Sequence, residues 1–294
     1  MSAAVTLPAW AKINLALDIL RKRDDGYHDL CMVMQSISLC DALTVEERGT
    51  GFSLQSDGFT VPAGKKSLEE RACDAFFAAL GRKAPALNVF LKKNVPAYAG
   101  LGGGSADVAV LLRYLRRTFA PEMTDAKLSE IGLSIGSDVP FCLRGGTAQA
   151  EGRGEVLTDL TPLPDCHIIL VKPDFDIPTP ELFARVRVSD LRERPDISAM
   201  CRALKAGDLA GVCRAMRNVF EEVLPEEERR TVDALKARLV SRGALAAAMS
   251  GSGSTVFGIF NEIDTAVPAL DALAHEGAKC FLAAPVSREQ VQNS

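Results

Sequence analysis

A glycine cluster is the first feature of this sequence that could support chemistry. It leads directly into Ser105 and comprises Gly100, Gly102, Gly103 and Gly104. Glycine tolerates positive φ angles and lets a backbone approach a ligand closely. Residues 106–115 favour a helix, whose first turn offers unpaired N–H groups and the positive end of the helix dipole. A glycine loop at a helix start therefore predicts a binding site for a chain of phosphates.

Two familiar phosphate loops do not fit this spacing. A Walker A loop ends in Gly-Lys-Ser or Gly-Lys-Thr, whereas Gly104 is followed at once by Ser105. The dinucleotide fingerprint needs a further glycine where this sequence has Ser105 or Asp107. A flexible loop before a surface helix is the alternative interpretation, although such loops rarely meet a helix start that carries Ser and Asp.

Lys12 and Asn14 are the next candidates, because they lie together on one side of a strictly alternating stretch. The stretch runs from 12 to 20 and predicts a β-strand. The apolar side of the strand comprises Ile13, Leu15, Leu17 and Ile19. From the pattern alone, we expect that side to face a core and the side with Lys12 and Asn14 to face solvent.

Asp138 lies in Gly-Ser-Asp-Val-Pro-Phe at 136–141, between a predicted helix end and a predicted strand at 141–143. Taken alone, this acid is expected to form an Asx-turn that caps the local backbone. The loop at 250–254, Ser-Gly-Ser-Gly-Ser, has two interpretations. It is either a plain hairpin turn or a second run of N–H and hydroxyl donors beside a phosphate.

The elements around these residues predict an α+β fold with a strand-rich first half. The first fifty residues suggest a meander of antiparallel strands, followed by helices at 67–80 and 124–135. The second half predicts strands at 167–171, 244–249, 255–260 and 278–283, and helices at 179–186, 197–204, 209–220, 226–242 and 263–275. Two prolines within 160–165 suggest a linker. We therefore expect an N-terminal domain at 1–159 and a C-terminal domain at 166–285.

Composition excludes several classes of function. The net charge of −4 argues against a nucleic-acid-binding surface. No apolar run approaches twenty residues and no secretory signal begins the chain, so we expect neither a membrane helix nor export. The eight cysteines lack Cys-x-x-Cys spacing and only three histidines accompany them, which predicts reduced thiols in a cytoplasmic protein and no zinc site. No pattern predicts an oligomeric state.

Taken together, the motifs resemble those of the GHMP kinase superfamily. They are PAWAKINLALDILRKRDDGYHDL at 8–30, GLGGGS at 100–105, GSDVPF at 136–141 and GSGSTVF at 251–257. The Asp-Gly-Tyr-His element resembles that of the members that act on 4-diphosphocytidyl-2-C-methyl-D-erythritol in non-mevalonate isoprenoid synthesis. This resemblance spans nearly the whole chain. It implies a two-domain GHMP kinase fold and ATP-dependent phosphorylation of the 2-hydroxyl of that small molecule, with Mg²⁺ brought by the nucleotide.

The resemblance also implies roles for individual residues. Lys12 and Asp138 would be the catalytic pair, with Asp138 accepting the hydroxyl proton and Lys12 countering charge. Asn14 would contact the methylerythritol hydroxyls. The cytosine ring would be bound by Tyr27, His28 and Phe183. The ATP phosphates would be surrounded by Pro96, Ala97, Tyr98, Ala99, Gly100, Leu101, Gly102, Gly103, Gly104, Ser105 and Ala106, with Ser105 near the metal-bound oxygens. No residue is assigned as a resident metal ligand.

Other interpretations remain open at this stage. A homoserine-type or mevalonate-type kinase of the same superfamily would share most of these motifs. A nucleotide-binding regulator without turnover is a second possibility, although it would be expected to lack Lys12 or Asp138, and both are present. An RNA-binding first half is disfavoured by the acidic balance. Apart from the resemblance, Tyr27 would be expected in a half-buried core position and His28 at the surface.

Overall fold

The computed structural model describes residues 4–62 and 64–294. Two long antiparallel strands, β1 (Val5–Lys22) and β2 (His28–Glu46), form the centre of the first sheet. Both sides of β1 are buried, including Lys12 and Asn14, which are 3% and 1% exposed. The expectation that the side with Lys12 and Asn14 faces solvent is therefore wrong. β1 is an inner strand, with helices against one surface and the second sheet of the protein against the other.

The alternation along β1 is interrupted by an irregularity that the sequence pattern does not show. The pairing register with β2 shifts between Asn14 and Ala16. Ile13 and Leu15 pack in one core cluster, whereas Leu17 and Ile19 pack in the other. An extra residue in one strand reverses which surface the following side chains face. The four apolar residues consequently serve both cores of the protein, and the prediction of a single apolar side is wrong.

The remaining strands of the first sheet surround this central pair. They are β3 (Phe52–Ser56), β4 (Leu87–Lys92), β5 (Thr147–Gly152) and β6 (Val156–Asp159). β4 lies between β2 and β3 and is parallel to β3, so the predicted antiparallel meander is correct for β1 and β2 only. β5 pairs with the first half of β2 and turns back into β6.

Four helices belong to this half of the chain, and two of them begin directly after a hydroxyl residue that caps them. These are α1 (Leu68–Ala79) and α3 (Asp125–Ile135), whose N-caps Ser67 and Thr124 accept hydrogen bonds from the backbone N–H groups of Glu70 and Lys127. The others are α2 (Gly103–Phe119) and α4 (Val139–Arg144). The predicted strand at 141–143 is wrong, since those residues belong to α4. Pro140 fits its first turn because no partner is needed there for a backbone N–H.

The strands of the second sheet are β7 (His167–Lys172), β9 (Ala246–Met249), β10 (Val256–Phe260) and β11 (Lys279–Ala283). They are arranged in the order β11-β7-β10-β9, and every neighbouring pair is antiparallel. The helices of this half are α5 (Thr179–Arg185), α6 (Ile197–Ala206), α7 (Leu209–Ala215), α8 (Glu226–Ser241), α9 (Ile263–His275) and α10 (Arg288–Asn293). The predicted α+β class is confirmed.

The predicted helix at 209–220 is wrong beyond Ala215. The chain there forms β8 (Arg217–Asn218), which pairs in parallel with β1, and then a short 3₁₀ helix (Val219–Val223). A strand from the second half thus extends the first sheet, and the division at 160–165 stays a prediction. None of the helices in the described part of the chain is long and apolar enough to cross a bilayer.

Candidate functional site

Lys12 and Asp138, which are far apart in the sequence, meet where β1 passes the start of α4. The ammonium nitrogen of Lys12 lies 3.4 Å from Oδ2 of Asp138 and donates to Oδ1 of Asn14 at 2.8 Å. The amide nitrogen of Asn14 lies 3.3 Å from the sulfur of Met32. A thioether is a weak acceptor, so this N–H₂ group retains the capacity to bind a polar ligand.

The Asp138 carboxylate does not form the expected Asx-turn. Asp138 occupies the N-cap position of α4, but its side chain makes no capping hydrogen bond. About a third of that side chain is exposed, whereas that of Lys12 is almost fully enclosed. The geometry therefore leaves an accessible carboxylate beside a buried cation, an arrangement suited to accepting a proton from a ligand hydroxyl.

The glycine loop lies against the same part of β1. The backbone N–H of Lys12 donates to the carbonyl of Leu101 at 2.9 Å. Gly102 is the N-cap of α2 with φ +68°, and no side chain caps this helix start. A side chain on Gly102 would press on Lys12, since its Cβ would lie 3.0 Å from Lys12 Cγ. The uncapped N–H groups of α2 thus open beside the Lys12–Asp138 pair, where an anionic group is favoured.

The residues predicted to surround ATP differ in how they are placed. Ala99, Leu101 and Ala106 are buried and anchor the loop to the core, so only their backbones are available to a ligand. Tyr98 is 74% exposed and has a positive φ. A Cβ at Gly136 would lie 3.5 Å from Oγ of Ser105, which places that hydroxyl near the turn that carries Asp138. The remaining loop positions are exposed or half-buried, namely Pro96, Ala97, Gly100, Gly102, Gly103 and Gly104.

The serine–glycine loop at 250–254 is the turn of the hairpin formed by β9 and β10, and it also contacts the glycine loop. Ser250 Oγ donates to the carbonyl of Gly100 at 2.9 Å and lies 3.3 Å from the backbone nitrogen of Asn14. The hydroxyls of Ser252 and Ser254 are also engaged, with Thr179 and the carbonyl of Phe175. These hydroxyls hold the loop in place, so the predicted donors for a phosphate are reduced to its backbone N–H groups.

A buried charge cluster supports the entry to the glycine loop. Lys93 Nζ pairs with Asp41 and lies 2.6 Å from Oδ2 of Asp107 in α2. Asp41 Oδ1 also accepts the backbone N–H of Val95 at 2.8 Å. Burial raises the pKa of Asp107, while the two carboxylates outweigh the burial of Lys93 and raise the pKa of that ammonium. The cluster ties β2, the loop entry and α2 together directly behind the candidate site.

The three residues predicted to bind cytosine are only partly assembled. The rings of His28 and Phe183 are stacked, with centroids 5.1 Å apart and planes at 23°. His28 is buried and Tyr27 is 50% exposed, which is the reverse of what the pattern alone suggested. Burial, followed by the charge of Lys22, lowers the pKa of His28, so its ring is neutral at neutral pH. The Tyr27 ring is covered by the guanidinium of Arg153 at 3.7 Å.

Three supporting features were not found from the sequence. Asn218 donates to the carbonyls of Met249 and Gly251 and so holds the serine–glycine loop against β8. It lies in the stretch wrongly predicted as helix, where an asparagine is a weak helix former and offered a signal of a break. Asp41 also offered a signal of a special role, because aspartate is uncommon inside β-strands. Nothing in the sequence distinguished Arg153, because arginine is common in turns.

Comparison with known proteins shows which family this chain resembles. The family model described as GHMP kinases N terminal domain matches residues 67–146, and that described as GHMP kinases C terminal matches 200–279. A 4-diphosphocytidyl-2-C-methyl-D-erythritol kinase from Pelotomaculum thermopropionicum is 43% identical over 263 residues, covering 89% of this chain and 91% of its own. The protein of the same name from Clostridium tetani is 38% identical over 260 residues, with coverages of 88% and 92%.

Solved structures show the same relationship. The crystal structure of a 4-(cytidine 5'-diphospho)-2C-methyl-D-erythritol kinase superposes with a TM-score of 0.80 and 31% identity, covering 96% of this chain and 99% of that one. A homoserine kinase from Cytophaga hutchinsonii, at 15% identity and a TM-score of 0.73, covers 98% of this chain and 96% of its own and shares the fold. The chain thus belongs to the GHMP kinases and, within them, to the 4-diphosphocytidyl-2-C-methyl-D-erythritol kinase family.

Proposed function

We propose that this protein transfers the γ-phosphate of ATP to the 2-hydroxyl of 4-diphosphocytidyl-2-C-methyl-D-erythritol, giving the 2-phosphate and ADP in non-mevalonate isoprenoid synthesis. The observation that carries the proposal is the joining of the Lys12–Asp138 pair to the uncapped start of α2 through the Lys12 N–H and the Leu101 carbonyl. A carboxylate, an ammonium group and an uncapped helix start lie close together there, which supports the proposal because phosphoryl transfer needs a proton acceptor, charge neutralisation and a site for phosphates.

In the proposed mechanism, Asp138 accepts the proton of the attacking 2-hydroxyl. Its accessible carboxylate allows a ligand hydroxyl to approach, and the ammonium nitrogen of Lys12 lies 3.4 Å from it. Lys12 also counters the negative charge that develops between the hydroxyl oxygen and the transferred phosphoryl group. Asn14 fixes the ammonium by accepting from it, and its N–H₂ group orients the methylerythritol hydroxyls.

The phosphates of ATP bind at the glycine loop in this proposal, through the N–H groups at the start of α2. Magnesium accompanies the nucleotide and neutralises phosphate charge. Ser105 offers a hydroxyl near the turn with Asp138 and is the side chain best placed to contribute a ligand.

The cytidyl end of the substrate binds, in our proposal, at Tyr27, His28 and Phe183. A neutral, buried imidazole can both donate to and accept from the edge of a cytosine. The half-exposed Tyr27 ring provides a surface for stacking. We also propose a cytoplasmic location, where ATP and phosphorylated intermediates are available.

The function is tested by incubating the purified protein with ATP and a panel of alcohols, followed by phosphorus NMR of the products. We expect one new phosphomonoester on the 2-oxygen of 4-diphosphocytidyl-2-C-methyl-D-erythritol, and little turnover of homoserine or mevalonate. Efficient phosphorylation of either of those alcohols would favour the other kinase types. Binding of ATP without turnover of any alcohol would favour a regulator.

A further inference from the structure

We propose that Arg153 binds the diphosphate group of the substrate and so sets the preference for a diphosphocytidyl compound. This inference rests on the proposed function and adds a residue to it. Arg153 lies in the tight turn between β5 and β6, and its guanidinium carbon is 3.7 Å from the centroid of the Tyr27 ring. A guanidinium stacked on an aromatic ring keeps its in-plane N–H donors available for other groups.

The donors of Arg153 are not used up by its surroundings. Its Nε is buried without a hydrogen-bond partner among the described residues. The neighbouring carboxylates are engaged elsewhere, since Asp25 pairs with Arg23 and Glu155 accepts the backbone N–H of Arg153 itself. A half-buried cation with a free donor points to an anionic ligand that completes its hydrogen bonding.

The turn that carries Arg153 spans the interval between the two proposed ends of the substrate. On one side, Arg153 covers Tyr27, where the cytosine is proposed to bind. On the other side, a Cβ at Gly154 would lie 3.6 Å from the carbonyl oxygen of Ser137, the residue before Asp138, and 3.4 Å from Met32. Met32 in turn contacts Asn14. The turn therefore runs from the base-binding region to the reacting groups.

The covalent structure of the substrate places its diphosphate in that same interval. Cytidine is at one end, methylerythritol at the other, and the two phosphates link them. The other cations near this turn are less suitable, because Arg21 and Arg23 are paired with Asp29. Lys12 is committed to Asp138 and Asn14. Arg153 is thus the cation whose position and free donors match the linking phosphates, and a guanidinium suits them because it can bind two phosphate oxygens at once.

The test compares the binding of cytidine and of cytidine diphosphate by calorimetry, in the presence of saturating ADP so that the glycine loop is filled. We expect wild-type protein to bind cytidine diphosphate more tightly than cytidine. In Arg153→Met, affinity for the diphosphate should fall about tenfold or more, as for the loss of a hydrogen bond to a charged group. Affinity for cytidine should change less than about twofold, because methionine retains an unbranched stem beside Tyr27.

Matched variants distinguish a role for the charge of Arg153 in diphosphate binding from a role in packing against the Tyr27 ring. Arg153→Lys should recover part of the diphosphate affinity, and raised salt should weaken binding to wild type more than to Arg153→Met. Arg48→Met removes an exposed arginine far from this turn and should leave both affinities unchanged. Equal losses for cytidine and cytidine diphosphate in Arg153→Met would overturn the inference, because the arginine would then only support Tyr27. Unchanged diphosphate affinity would overturn it as well.

Kinetics separate failure of this inference from failure of the proposed function. If wild-type protein phosphorylates the cytidyl substrate, kcat/KM in Arg153→Met should fall about tenfold or more while KM for ATP stays the same. Normal kcat/KM in that variant would reject the role of Arg153 and leave the proposed function intact. Absence of turnover by wild type would reject the proposed function and this inference with it.

Discussion

The ammonium group of Lys12 lies 3.4 Å from the carboxylate of Asp138, and the two differ sharply in exposure, at 4% and 34% of their side chains. A buried ammonium group is costly to the fold unless an opposite charge lies beside it, whereas a partly exposed carboxylate can still contact a ligand. This contrast gives each residue a distinct part in the proposed reaction and leads to the first prediction.

Asp138→Asn should lower kcat by about 10²–10⁴-fold, the usual contribution of a general base. The amide keeps the shape of the side chain but cannot accept the hydroxyl proton. Affinity for ATP should be unchanged, since the glycine loop is untouched. Steady-state kinetics at saturating ATP measure the effect, with the exposed Asp125→Asn as control, whose side chain is 78% exposed. A loss of kcat smaller than about tenfold would show that Asp138 is not the base.

Gly102→Ala should inactivate the enzyme more than its effect on stability explains. Gly102 has φ +68°, and its new Cβ would lie 3.0 Å and 3.1 Å from Lys12 Cγ and Cε. The control is Gly207→Ala, at φ +66° with no atom within 4 Å of the added carbon. Both changes should lower the free energy of unfolding by about 1–2 kcal/mol, because alanine is unfavourable in a left-handed backbone conformation. Only Gly102→Ala should also lower kcat/KM for ATP, by about tenfold or more.

Urea denaturation and kinetics on both glycine variants decide between a local and a general effect. Equal loss of activity in Gly102→Ala and Gly207→Ala, at equal loss of stability, would count against a direct contact of the glycine loop with the reacting groups.

Tyr27→Ala should weaken kcat/KM for the cytidyl substrate by about tenfold or more, in line with about 1–3 kcal/mol for a base stacked on an aromatic ring. Because Tyr27 is 50% exposed, its removal should change the free energy of unfolding only slightly. KM for ATP should stay constant, and Tyr27→Phe should retain the activity. If Tyr27→Ala reduces stability but leaves kcat/KM alone, the ring is structural.

His28→Ala should narrow the preference for the cytidyl substrate over a uridyl analogue, because the variant lacks the imidazole that is proposed to hydrogen-bond to the edge of the base. Burial and Lys22 lower the pKa of His28 below its ordinary value near 6.5. The ring therefore stays neutral to a lower pH than an ordinary imidazole does, and the cytidyl preference of wild type should stay constant between pH 8 and pH 7. At lower pH, as the imidazole becomes protonated, the preference should change in wild type and not in His28→Ala.

The ratio of kcat/KM for the two substrates, measured across pH, provides the readout for His28. An unchanged ratio in His28→Ala at pH 7.5 would exclude base recognition by this histidine. A wild-type preference that already changes between pH 8 and 7 would mean that another group controls it.

Lys93→Met should destabilise the protein by about 3 kcal/mol, because it leaves Asp41 and Asp107 buried without their cation. The control is Lys127→Met, which removes an exposed pair with Glu130 and should cost less than about 0.5 kcal/mol. Adding Asp107→Asn to Lys93→Met should recover part of the loss, since one uncompensated charge is removed. Urea denaturation measures all three, and a cost below about 1 kcal/mol for Lys93→Met would show that the cluster contributes little to stability.

Local features of the fold could be predicted from the sequence because their causes lie within a few residues. Ser67 and Thr124 cap helices whose apolar spacing is itself local. The glycine loop before α2 was identified for the same reason, since conformational freedom and helix start are adjacent in the chain. The family resemblance likewise came from short motifs, and it indicated Lys12 and Asp138 as partners before any geometry was known.

Only the tertiary structure decided what surrounds these residues. The alternation of β1 looks the same whether one side or both are buried, so covering elements from distant parts of the chain determine the environment of Lys12 and Asn14. The register shift after Asn14 depends on the partner strand β2, which the pattern of β1 does not contain. The stacking of Arg153 on Tyr27 is likewise a contact between two turns distant in sequence. Burial and strand pairing between distant segments depend on tertiary packing, whereas caps, turns and periodicity depend on residues that are neighbours in the sequence.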